Sequence, residues 1–105
     1  MKIYIVSPLN YVSGGPEALH QLCGTLRKLG YDSTMCYCSG GQIVNGNVPS
    51  NYHKYSVGSS SNVIDSRENI LIVPESEPSV FTKFNNIRKS IYWLSWNLHY
   101  ENNHG

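Results

Sequence analysis

The sequence predicts an α/β domain built on a parallel sheet of about four strands with flanking helices, and three observations carry that expectation. "KIYIVS" (Lys2 to Ser7) is β-branched, aromatic and almost continuously apolar, as suits a strand covered on both faces. From Pro16 to Leu29 the period changes: Ala18, Leu19, Leu22, Cys23, Leu26 and Leu29 fall on one helical face, with Glu17, Gln21, Arg27 and Lys28 on the other. "STMCYC" (Ser33 to Cys38) then returns to strand character. Strand, helix and strand in that order make a βαβ unit with a right-handed crossover.

Each element has a physical reason to start and stop. Pro8 ends the first strand, Pro16 suits the first helical turn, and Gly30 suits the position just beyond the helix. From Ser39 to Ser66 the chain is rich in Gly, Ser and Asn. It reads as a long connection with one short helical turn near Pro49 to Tyr55, pinned by Tyr52, Tyr55 and Val57. "NILIVP" (Asn69 to Pro74) is a third apolar strand ended by proline. "EPSVFTKFN" predicts a short helix starting at Pro78 or Ser79, and "RKSIYWLSW" (Arg88 to Trp96) a fourth strand, followed by a polar tail. A doubly wound sheet with these strands takes the order 3-2-1-4, which leaves the fourth strand on an edge.

At 105 residues the chain makes one domain, burying roughly 60–70% of its unfolded surface. Eight Lys/Arg against seven Asp/Glu, with no basic block, exclude a partner bound through phosphate-backbone charge, so no nucleic acid is expected. No apolar run approaches the roughly 18–20 residues of a membrane span. "MKIYIVSP" has too short an apolar stretch for a signal peptide. Three cysteines, Cys23, Cys36 and Cys38, read as reduced thiols lining strand and helix. "CYC" lacks zinc-ligand spacing and has no second pair, so no metal or cofactor is expected.

The candidate site follows from the sheet. In a parallel sheet the loops leaving the carboxyl ends of the strands share one rim, where ligands bind. Here that rim collects the loop Pro8 to Gly15, which includes Asn10, together with Ser39, Glu75 and Asn97. Gly14 and Gly15 stand where the first helix opens. Its first N–H groups lack partners within the helix and suit a phosphate or sugar hydroxyls, and glycine removes the Cβ that would hold a ligand away. A tight turn with close helix–sheet packing also accounts for two glycines. Neither the dinucleotide fingerprint nor the P-loop is present, and Glu17 in the first turn opposes a bound anion. Glu75 suits either an acceptor hydroxyl or a helix cap, and His20 lies between the two helical faces as a structural or solvent-facing residue rather than a base.

"GGPEALHQLCGTLRKLGYDSTMCYC" resembles the amino-terminal half of GT-B-type glycosyltransferases of the kind that build bacterial surface polysaccharides. "NILIVPESEP" and "IRKSIYWLSWNLHY" resemble segments of a subset of that group. The resemblance implies a Rossmann-like amino-terminal domain, half of a GT-B architecture. Residues 1–105 would be a single and incomplete domain of that kind, with the carboxyl-terminal donor domain absent. It implies a sugar nucleotide and a glycan or lipid-linked acceptor as partners of the full-length enzyme, working in the cytoplasm at the inner face of the membrane. It places Gly14 and Gly15 near the donor's diphosphate or transferred sugar, and Asn10, Glu75 and Asn97 loosely along the acceptor cleft. A non-catalytic α/β binding or dimerisation module, or a small flavodoxin-like nucleotide-binding protein, are the alternatives. The apolar fourth strand also predicts a two-fold homodimer through its open edge.

Overall fold

A computed structural model describes residues 1–9 and 14–93 of the chain. Its core is a five-stranded sheet of β1 (Lys2–Pro8), β2 (Asp32–Ser39), β3 (Gln42–Val44), β4 (Ile70–Pro74) and β5 (Arg88–Tyr92), in the order β3-β2-β1-β4-β5. β1 pairs in parallel with both β2 and β4, and β4 pairs in parallel with β5. Among the described residues only the β2–β3 ladder is antiparallel.

The expected parallel order 3-2-1-4 is corrected: the sheet is mixed and has five strands, and β5 pairs with β4 rather than with β1. The strand ending at Pro74 does not flank β2; it lies on the other side of β1. The reason is local. Gly40 and Gly41 take positive φ angles of 60° and 78° between Ser39 and its ladder partner Gln42. Two consecutive positive φ values make the tight turn that matches the twist of a hairpin. The chain therefore folds straight back as β3 and occupies the outer edge of β2 (Tyr37↔Val44, Cys38↔Ile43). The rest of that edge goes to residues 58–60, where Met35 N–H donates to Gly58 O and Ser60 N–H to Met35 O. With that edge filled, the next long strand pairs with the free side of β1.

α1 (Gly14–Lys28) crosses from β1 to β2, starting two residues earlier than its proline suggests. It ends as expected: Gly30, at φ 94°, donates to Arg27 O while Tyr31 N–H reaches Leu26 O, the paired bonds that close a helix carboxyl terminus. Alternation along the strands sorts the core into two layers. Ile3, Ile5, Met35 and Tyr37 pack with Leu19 and Cys23 of α1. Tyr4, Val6, Cys36, Cys38, Leu71 and Val73 pack on the opposite face with Val80 and Ile87. Burying a side chain such as Ile5 or Leu19, each fully inaccessible, contributes about 1.5–3 kcal/mol.

Two short 3-10 helices complete the layers. Ser50–Tyr55 lies beside α1, with Tyr52 buried as the sequence led us to expect. Pro78–Lys83 starts at Pro78 and sinks Val80 into the second layer. At the amino ends of the strands, Lys2 N–H donates to Asn69 Oδ1 and Asn69 Nδ2 to Ile64 O. There Asp65 accepts the N–H groups of Asn85, Asn86 and Ile87, each at 2.8 Å. This end of the sheet is fastened by polar bonds, whereas its carboxyl end carries the loops. Among the described residues no helix is long and apolar enough to cross a membrane.

Candidate functional site

The parallel strands finish level with one another, since Pro8 stands opposite Cys38 and Pro74 opposite Tyr92. Connections leave β1 toward β2 on one side and later return to β4 on the other, so the carboxyl ends of β1 and β4 form the point where the winding changes direction. Crevices for ligands open at such points. Gly14 lies on the β1 side of it and Glu75 on the β4 side.

Gly14 is the first residue of α1 and is exposed, with Gly15 half-buried behind it. The pair thus forms the opening of the helix itself rather than a turn before it. A Cβ added at Gly14 would meet no heavy atom within 4 Å, so open space adjoins the backbone. Pro16, buried in the same turn, has no N–H, which leaves Gly14, Gly15 and Glu17 as the residues whose amides open the helix. Asn10 and Asn97 lie outside the described residues. Glu75 is half-buried and its backbone N–H donates to Tyr92 O at 3.3 Å, holding the β4 exit against the end of β5. It does not cap the next helix; that position belongs to Glu77, which makes no side-chain cap bond. Across the rim, Gly41 lies so close to Ser79 that a Cβ there would stand 2.8 Å from Ser79 Oγ. This brings the β2–β3 hairpin and the second 3-10 helix together.

Two side-chain groups beside this rim are not written as motifs in the sequence. In the first, Glu17 accepts a 2.7 Å bond from the Tyr55 hydroxyl and pairs with Lys54 Nζ at 3.3 Å, while Lys54 lies 5.3 Å from the centre of the Tyr55 ring. The Tyr55 bond, followed by Lys54, holds the Glu17 carboxyl below its usual range, so Glu17 stays ionised and its charge is matched locally. In the second, His20 is fully buried. Its Nδ1 sits 2.6 Å from Pro16 O and its Nε2 2.9 Å from the Tyr37 hydroxyl, with the Tyr52 ring 4.3 Å away between centres. A carbonyl accepts only, so Nδ1 carries the proton and donates, and the Tyr37 hydroxyl donates to Nε2. Burial pushes the His20 pKa down, favouring this neutral form. Both nitrogens are engaged, so His20 joins α1, β2 and the first 3-10 helix and has no free nitrogen to act as a base. A signal for this group was present: Tyr52 three residues before Tyr55 in an otherwise polar stretch.

The thiols are unsuited to chemistry. Cys23, Cys36 and Cys38 are free and buried, and burial pushes Cys36 up to about 12 and Cys38 to about 11. No cluster of potential metal ligands occurs among the described residues. A polar depression of about 560 Å³, lined by Asn45, Gly46, Asn47, Ser59, Ser60 and Ser61, lies beside the outer edge of β2, with Gly46 set against Leu9 and Tyr37.

Comparison with known proteins finds no match for this chain among family models, curated proteins or solved structures.

Proposed function

We propose that this chain is the acceptor-side, amino-terminal part of a sugar-nucleotide-dependent glycosyltransferase, inactive without a donor-binding domain. The observation that carries the reading is Gly14. It is the first residue of the crossover helix, it stands exposed at the carboxyl end of β1, and open space adjoins it where a side chain would be. Backbone amides at such a place can meet a sugar or its diphosphate without a Cβ between them. Gly15 and Glu75 extend the surface along the same rim, with Asn10 and Asn97 assigned to it on the sequence alone.

The test compares the chain with a Gly14→Val variant by amide chemical-shift titration against a nucleoside diphosphate, a nucleotide sugar and a neutral oligosaccharide. Weak shifts are expected along Gly14 to Glu17, lost in the variant while its melting temperature stays unchanged. Identical shifts in both proteins, or none at the rim, would refute the reading. Sequencing the coding frame beyond Gly105 gives an independent check: a second βα domain in frame supports an enzyme, and a stop codon supports a non-catalytic module.

One observation favours a second reading. Counting only parallel strands, the order is 2-1-3-4, which begins like the flavodoxin-like sheet. Tight binding of a nucleotide by this domain alone would favour that small nucleotide-binding protein over the glycosyltransferase.

A further inference from the structure

We propose that β5 is a seam between two copies of this chain, paired antiparallel about a two-fold axis through Ser90. The proposal is independent of the sugar-binding reading. β5 is the last strand of the sheet, and no described strand lies beyond it. In a parallel ladder, alternate residues turn both N–H and C=O toward the same neighbour. Arg88 N–H donates to Asn69 O, and Tyr92 O accepts from Glu75 N–H. Residues 88, 90 and 92 therefore face β4, and residues 89 and 91 turn their backbone groups outward. The opposite margin of the sheet differs, because β3 has only three residues and residues 58–60 take the rest of β2's edge. Among the described residues β5 is thus the long open edge.

The outward pattern selects the occupant. Hydrogen-bonded pairs in an antiparallel ladder form between residues that both face the seam. Self-pairing about Ser90 sets Lys89 against Ile91 of the second copy, and Ile91 against its Lys89, giving four N–H···O bonds. Side-chain chemistry agrees with this register. Arg88 meets a Tyr92 ring, Lys89 meets an apolar side chain, and the cationic residues of the two copies stay at opposite ends. A register with Lys89 against Lys89 would set like charges face to face, which is destabilising. Charged residues on edge strands normally discourage pairing. Lys89, however, donates its Nζ to Phe84 O at 2.8 Å, folded back along its own chain, so it does not cover the edge. Ile91 and Trp93, 38% and 64% exposed, share the Lys89 face, and a second copy would cover them.

Light scattering coupled to size-exclusion chromatography of the whole chain should give twice the 11.8 kDa chain mass at high concentration. Ile91→Lys places lysine against Lys89 of the partner copy twice, and should weaken the dimer by roughly tenfold. Ile91→Glu, facing the same lysine, should keep or tighten it. Lys89→Glu combined with Ile91→Lys should restore it, and melting curves confirm that each variant is folded. A wild-type monomer at millimolar concentration, an Ile91→Lys dimer of unchanged affinity, or failure of the double variant to recover would each overturn the proposal.

Discussion

Replacing Gly24 with alanine tests how tightly the first 3-10 helix is pressed against α1. In an isolated helix the change is favourable, because alanine exceeds glycine by about 1 kcal/mol. In this protein Gly24 is buried in mid-helix, and the new Cβ would stand 2.8 Å from the carbonyl oxygen of Tyr55 and 3.2 Å from its Cβ. Those atoms are main chain or next to it, so no side-chain rotation relieves the contact. The 3-10 helix cannot drift away freely either, since the buried Tyr52 ring lies tilted 4.3 Å from the His20 ring and the Tyr55 hydroxyl holds Glu17. Overpacking of this kind costs about 1–3 kcal/mol. Against the propensity gain, the net is a loss of about 1 kcal/mol, which for a domain of this size lowers the melting temperature by about 4–8 °C. Gly14→Ala is the control: its Cβ meets nothing within 4 Å, so it should melt at or slightly above the wild-type temperature. Thermal unfolding followed by far-ultraviolet circular dichroism decides the matter. A Gly24→Ala protein that melts at or above wild type would refute the packing argument.

Three other outcomes are expected. His20 has a folded pKa below its ordinary 6.5, so the unfolded chain binds the extra proton: stability is complete above about pH 6.5 and is lost as pH falls below it. The urea midpoint should drop between about pH 7.5 and 5.5. His20→Leu should flatten that slope while costing about 1–3 kcal/mol for the abandoned Tyr37 hydroxyl; an unchanged slope would count against it. Asp65 is held below its ordinary value by the N–H groups of Asn85 and Ile87, so its clamp is intact above about pH 3.8 and loosens as pH falls further. Asp65→Asn, with one acceptor oxygen in place of two, should speed amide exchange at residues 85–87 at neutral pH, and equal exchange rates would dismiss that role. Finally, none of the three buried thiols should react with a disulfide reagent near neutral pH until denaturant is added, and fast labelling of native protein would contradict their burial.

The elements legible in the sequence were those whose signal is local. β1, β2 and β4 are continuous apolar runs, α1 has one apolar stripe, and the prolines at 8, 74 and 78 punctuate the chain where the structure does. The strand order was not fully legible, because it turned on three residues. "QIV" is too short to stand out by periodicity, yet Gly40–Gly41 between it and "MCYC" is a two-residue hairpin signal hidden in a glycine-rich stretch. Once that hairpin fills the edge of β2, β4 must go to the other side of β1. The site was legible as a rim but not as a set of contacts. Glu17 and Tyr55 are 38 residues apart, and His20 and Tyr37 are 17 apart, so only the folded crossover reveals the pairs.

Those contacts bear on what the glycine rim can recognise. A helix amino terminus favours an anion, and Glu17 in its first turn opposes one. The structure balances that opposition without creating a surplus. Lys54, the cation recorded beside this turn, is committed to Glu17, and the Tyr55 hydroxyl is committed to the same carboxylate oxygen. The opening at Gly14 thus offers amide donors beside a cation that is already paired. Neutral hydroxyls ask less of such a place: they accept from the amides and donate to acceptors, and need no counter-charge. On these grounds the opening suits neutral hydroxyls better than a diphosphate, whose charge calls for an unpaired cation.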